Sequence, residues 1–161
     1  MDLRSERKKF EETKKIYESV KLKFNGADGY DVYNCSIPFT YKGERYIYGR
    51  VEKPDEWARS LSKLFKETAK DEFTLVPNSM IYQLEDPYVS FIHGQLVLGG
   101  THVRYNAGKL DGYCGYFYKG TDLEDLYYFT SGPYSMKDIR LVQLADGKIG
   151  LFSRPGYVGY T

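Results

Sequence analysis

Residues 84–100 read LEDPYVSFIHGQLVLGG. An acidic pair and a proline lead into an apolar run. A His-Gly step follows, and then a second apolar run. Glycine supplies the backbone angles that a two-residue turn between strands requires, so the stretch predicts a hairpin. The pattern occurs twice more, as NCSIPFTYKGERYIYGR over 34–50 and DIRLVQLADGKIGLFSR over 138–154. The turn glycines Gly43, Gly94 and Gly147 lie 51 and 53 residues apart.

The segments between the hairpins recur as well. GYCGYFYKGTDLEDLYYFT (112–130) predicts a third strand near Tyr113–Tyr118 and a fourth near Leu126–Thr130. SLSKLFKETAKDEFTLV (60–76) occupies the same place after the first hairpin. Trp57, Leu61, Leu64 and Phe65 taken alone fit one face of a helix. The repeat instead predicts strands over Leu61–Lys66 and Phe73–Val76. Four strands per unit at this period describe a β-propeller blade, so the fold class is all-β.

Blades are expected near 30–77, 84–131 and 136–161, the last incomplete, with GYVGYT matching the start of a third strand. Residues 1–23 form a separate lead-in. SERKKFEETKKIYES is rich in helix formers, and Phe10, Tyr17 and Val20 suggest an apolar stripe that covers a sheet edge. About two and a half blades fall short of the four or more that typically close a ring. The chain therefore reads as part of a longer propeller, and its open blade edges invite self-association.

Composition narrows the function. Lys and Arg number 23 against 22 for Asp and Glu, which argues against a nucleic-acid binder. No run is long and apolar enough for a membrane span, and the charged N-terminus lacks a signal-peptide core, so the cytoplasm is expected. Cys35 and Cys114 stand far apart, which gives no metal or redox spacing; they read as reduced core residues. The 17 tyrosines suit strand packing, and they also suit stacking on sugar rings.

The candidate site follows from the repeat. Asn34, Asp86 and Asp138 lie nine, eight and nine residues before their turn glycines. Arg50, Thr101 and Arg154 lie seven after them. In a propeller the first strand of each blade lines the central channel, so these polar heads are expected to ring one mouth of it. The plain alternative is that Asp-Pro only opens a turn. His93 and His102 lack repeated placement and read as structural.

At these residues the chain resembles a known family. YDVYNCSIPF, YIYGRVE, LEDPYVSFIHGQLVLGG, FYKGTDLEDL and MKDIRLVQLADGKIGLFSRP are similar, in order and spacing, to the family of domain of unknown function 1861. That resemblance implies a five-bladed propeller of which this chain is the N-terminal half. A more distant resemblance, to the mannoside phosphorylases and mannosidases of glycoside hydrolase family 130, implies roles. Asp86 would be the catalytic proton donor. Asn34 and Arg50 would hold the sugar, and Lys137, Asp138 and Arg154 would complete the substrate site near the phosphate. Ser153 stands where the phosphorylases have histidine.

The resemblance implies a glycoside phosphorylase or hydrolase that inverts at mannoside-like sugars. No cofactor is expected beyond inorganic phosphate as co-substrate, and no metal. A phosphorylase manages with one protein carboxyl because phosphate is already an anion. A hydrolase needs a second carboxylate to activate water, and Asp138 is the candidate. An arginine beside the proton donor would oppose the raised pKa that a general acid needs. A chain with only these blades lacks the contacts of blades four and five and is open to being inactive. Two other classes share the fold: a carbohydrate-binding propeller without catalysis, and a protein-interaction propeller. The first needs no carboxyl at the channel mouth, and the second needs no polar ring.

Overall fold

The computed structural model describes residues 2–56 and 59–155. One helix, α1 (Leu3–Thr13), precedes twelve strands. The first sheet holds β1 (Lys23–Asn25), β2 (Asp31–Tyr33), β3 (Phe39–Tyr41), β4 (Glu44–Glu52), β5 (Leu61–Ala69) and β6 (Glu72–Leu75). The second is a meander of β7 (Glu85–Ile92), β8 (Gln95–Asn106), β9 (Lys109–Gly120) and β10 (Tyr127–Ser131), and the third is the hairpin β11 (Met136–Gln143) and β12 (Ile149–Pro155). This is the partial propeller that the repeat predicts.

Residues Leu61–Lys66 are strand, as the repeat requires, because Leu64 and Phe65 bury on opposite faces of β5. Trp57 lies outside the described residues, as does the GYVGYT segment. The turn glycines all have positive φ: 81° at Gly43, 76° at Gly94 and 81° at Gly147. Lys42 and His93 share that left-handed conformation, which gives the first two hairpins the twist that suits strand pairing. The third uses a wider turn, in which the Leu144 N–H donates to the Lys148 carbonyl at 2.8 Å.

The first blade is apolar on both faces, because another layer covers each side. On β4, Ile47 and Val51 join Phe65 and Phe73 on the outer face, while Tyr48 joins Leu64, Leu84 and Leu98 in the seam with the second blade. Ser62 stitches that seam, donating from its hydroxyl to the Leu84 carbonyl at 3.0 Å. The second seam is thinner, with Tyr88, Phe117 and Ile139 buried.

Two expectations need correction. The first hairpin is not continuous: its inner strand is split into β2 and β3, which pair with opposite ends of β4. Pro38 lacks a ladder donor, and Ser36 bridges the gap by giving its N–H to the Tyr48 carbonyl and accepting the Tyr48 N–H on Oγ. The N-terminal helix covers no edge. It ends at Thr13, and Phe10, Tyr17 and Val20 are all exposed. The outer edge of the first blade is covered instead by β1, parallel to β6. Both cysteines are free and half-buried, and Cys35 packs against the cluster of Ile47, Val51, Phe65 and Phe73.

Candidate functional site

The three polar heads are equivalent in the backbone itself. Asn34, Asp86 and Asp138 have φ of 44°, 48° and 55°. Left-handed backbone is costly for most side chains, and Asn and Asp are among the few that adopt it readily. The pairing register of the inner strand breaks at this point in the second and third blades. The residue before each head sits opposite the residue seven past the turn glycine: Tyr33 faces Arg50, Glu85 faces Thr101 and Lys137 faces Arg154. Close approach makes room for the second bulge, since a Cβ on Gly100 would lie 2.7 Å from the Glu85 carbonyl oxygen.

Arg50 crosses from the first blade to the second. Its Nη1 donates to Asp86 Oδ1 at 3.0 Å, and Asn34 Nδ2 donates to the same oxygen at 3.0 Å. Arg50 Nε and Nη2 donate to Glu52 Oε1 at 3.0 and 2.7 Å, and Nη2 lies 3.4 Å from Glu85 Oε1. Glu52 also accepts from Ser60 Oγ and, at 2.5 Å, from Tyr33 Oη. The Tyr33 ring lies 4.9 Å from the guanidinium. Glu85 Oε2 accepts from Lys137 Nζ of the third blade at 2.9 Å.

Asp138 makes a different pair. Its Oδ2 meets Arg154 Nη2 at 2.6 Å within its own hairpin, and its N–H reaches Thr101 Oγ1 at 3.3 Å. The expected residues thus fall on one continuous line across three blades: Asn34, Arg50, Asp86, Lys137, Asp138 and Arg154. Glu52, Glu85, Tyr33 and Ser60 were missed. The signal for Glu52 was its place two residues after Arg50, on the same face of a strand. Glu85 stood beside Asp86 in the acidic pair.

Three cations and four carboxylates leave this line one negative charge in excess. Burial works against the charged form of Arg50, but the Glu52 bond, the Glu85 charge and the Asp86 bond outweigh it and raise its pKa. Burial likewise opposes the charge of Glu52, yet the bonds from Ser60, Tyr33 and Arg50 hold its pKa below the usual value. Burial and then the Glu52 bond push the Tyr33 hydroxyl up to about 12. Asp86 accepts from side chains of the neighbouring blade rather than from the backbone of its own turn.

A cavity of about 420 Å³ opens beside this line, among Ser60, Gln83, His102, Arg104 and Tyr105. His102 serves structure there, with Nδ1 3.1 Å from the Gln83 carbonyl and its ring stacked on Tyr116. His93 ties the second blade to the third through the Gly147 carbonyl at 2.8 Å. Among the described residues no cluster of His, Cys, Asp and Glu could hold a metal ion, and no helix is long and apolar enough to cross a membrane.

The family model described as "Protein of unknown function (DUF1861)" matches residues 8–160. No curated protein matches the chain. Among solved structures it is similar to MPT-4, a mannose phosphorylase from Leishmania mexicana in complex with phosphate ion, at 57% identity and a TM-score of 0.88 over 95% of this chain and 48% of that one. It is similar to MPT-1, a GDP-Man-dependent mannosyltransferase from Leishmania mexicana, at 52% identity and a TM-score of 0.88 over 95% of this chain and 50% of that one. A hypothetical protein from Leishmania major is 56% identical, with a TM-score of 0.83 over 92% of this chain and 49% of that one. The chain spans about half the length of these proteins.

Proposed function

The chain belongs to the DUF1861 family, and we propose that it carries the mannose-binding and proton-donating half of a mannoside phosphorylase site. The observation that carries this reading is the cross-blade contact of Asp86 with Asn34 and Arg50. A turn-capping aspartate would bond its own backbone; this one faces donors that a sugar hydroxyl could replace. The similarity to a phosphate-bound mannose phosphorylase supports the same reading.

In the proposed reaction Asn34 and Arg50 hold the sugar at the point of cleavage. When the sugar takes Asn34 and Arg50 off Asp86, the ion pair that favours its ionised form is relieved; Asp86 then takes up a proton and gives it to the glycosidic oxygen as the C1–O bond breaks. A phosphate oxygen attacks C1 from the opposite face, so the configuration inverts. The products are mannose 1-phosphate and the shortened sugar, and the proton that hydrogen phosphate gives up restores Asp86 through solvent. Lys137 and Arg154 lie on the phosphate side, where arginine can donate two parallel hydrogen bonds.

A second reading is mannosyl transfer from a nucleotide sugar. Ser153, in place of the histidine of phosphorylases, and the similarity to a GDP-Man-dependent mannosyltransferase favour it. The two separate by product. The chain, completed by the further blades that its relatives carry, is incubated with a mannoside and inorganic phosphate, and in parallel with GDP-mannose and a mannoside. Mannose 1-phosphate in the first tube supports phosphorolysis. Elongated mannoside in the second alone supports transfer. Binding of mannose with neither product leaves a carbohydrate-binding module and refutes both reactions. Among the described residues β12 pairs only with β11, and that edge favours self-association, which sedimentation measures.

A further inference from the structure

Glu85 is buried at 5% exposure, yet its two oxygens face cations from two different blades. Oε1 lies 3.4 Å from Arg50 Nη2, and Oε2 accepts from Lys137 Nζ at 2.9 Å. Lys137 is half-buried, and its Nζ stands 5.1 Å over the Tyr113 ring, within reach of solvent. Glu85 therefore touches both the sugar side and the phosphate side of the proposed site.

We propose that Glu85 couples the two: an anion that takes Lys137 turns Glu85 onto Arg50 and tightens sugar binding. This rests on the reading of Asn34–Arg50 as the sugar side and Lys137–Arg154 as the phosphate side. A buried carboxylate without a cation is strongly unfavourable. When phosphate draws Lys137 away, Arg50 is the remaining counter-ion within reach of Glu85. Arg50 Nη2 is then clamped between Glu52 and Glu85, and Nη1 stays fixed in the direction of Asp86 and the ligand. A pre-placed donor loses less freedom on binding, which raises affinity. Linkage makes the effect reciprocal, so sugar tightens phosphate by the same factor. Free Glu85 also competes with phosphate for Lys137, and removing its charge should improve phosphate binding in the absence of sugar.

The test is titration of the protein that carries the remaining blades with mannose, with and without saturating inorganic phosphate, in wild type, Glu85→Gln and Glu85→Asp. The wild type should bind mannose at least about fivefold tighter with phosphate. Glu85→Gln should bind phosphate alone more tightly and show the same mannose affinity with and without it. Glu85→Asp keeps the charge but cannot span both cations, so its coupling should fall as well; it serves if the glutamine variant does not fold. Both ligands binding independently in the wild type would overturn the coupling and leave the proposed function standing. Coupling that persists in Glu85→Gln would remove Glu85 from it. Failure of either ligand to bind the wild type would overturn the proposed function, and the coupling with it.

Discussion

Arg50–Asp86 and Arg154–Asp138 join the same two positions of the repeat, the first across successive blades and the second within one hairpin. Both aspartates take left-handed backbone, and both arginines lie seven residues past a turn glycine. Arg50 crosses a seam, and its side chain is 9% exposed. Arg154 folds back onto its own hairpin, with a side chain 68% exposed. The first pair is held by Glu52, itself bonded by Tyr33 and Ser60, while Glu85 stands 3.4 Å from Arg50, so most of its geometry is in place before any ligand arrives. The second is held mainly by its own attraction, which solvent screens. Repeat position selects the residue types; the packing of a neighbouring blade decides whether they form a rigid site.

The largest expected effect breaks the buried member. Arg50→Met leaves Glu52 and Glu85 buried beside a lost counter-ion and should destabilise the chain by about 3–5 kcal/mol. Arg154→Met should change stability by no more than about 0.5 kcal/mol. Chemical denaturation of both variants measures the difference, and equal losses would erase the distinction between the pairs.

The seams differ in the same direction. Leu98 is fully buried in the first seam, so Leu98→Ala should cost about 2–5 kcal/mol. Leu151 on β12 is well exposed, and Leu151→Ala should fall within about 0.5 kcal/mol. A large loss at Leu151 would show that the third sheet is covered in solution, for instance by a second copy.

Acid should act on the first pair. The pKa of Glu52 is lowered on folding, so its contribution is present above its ordinary value of 4.5 and is lost as pH falls through the lower folded value. Denaturation midpoints measured from neutral pH down should fall in the wild type, and less steeply in Glu52→Gln. An identical slope in both would place the acid-sensitive group elsewhere. The smallest expected effect is at a hairpin turn: Gly94→Ala forces a side chain into φ of 76° with open space around it, and should cost about 1 kcal/mol.

Much of this was legible in the sequence, for physical reasons that differ by residue. Spaced turn glycines mark hairpins because only some backbones can make the turn, and that alone located the blades. The repeat also settled Leu61–Lys66, where local periodicity pointed to a helix; both faces of that strand are buried, so alternation of apolar and polar residues is lost. Asn34, Asp86 and Asp138 stood out because a strained backbone position restricts residue choice. Glu52 and Glu85 did not, since their partners lie across a seam that no local pattern encodes. The lead-in was misread in part: helix formers in residues 5–19 predict a helix, but not whether anything packs on it. The short β1 has too few residues to carry a period, so its role at the sheet edge was invisible.

Whether Asp86 is the proton donor or a turn residue is decided by substituting it. Wild type and Asp86→Asn, each in the protein that carries the remaining blades, are compared for release of mannose 1-phosphate from a mannoside, with mannose affinity measured alongside. Asparagine also accepts the left-handed backbone, so the fold is expected to persist. Turnover should fall by at least about a hundredfold with mannose still bound. Unchanged turnover in Asp86→Asn would contradict the proton-donor role.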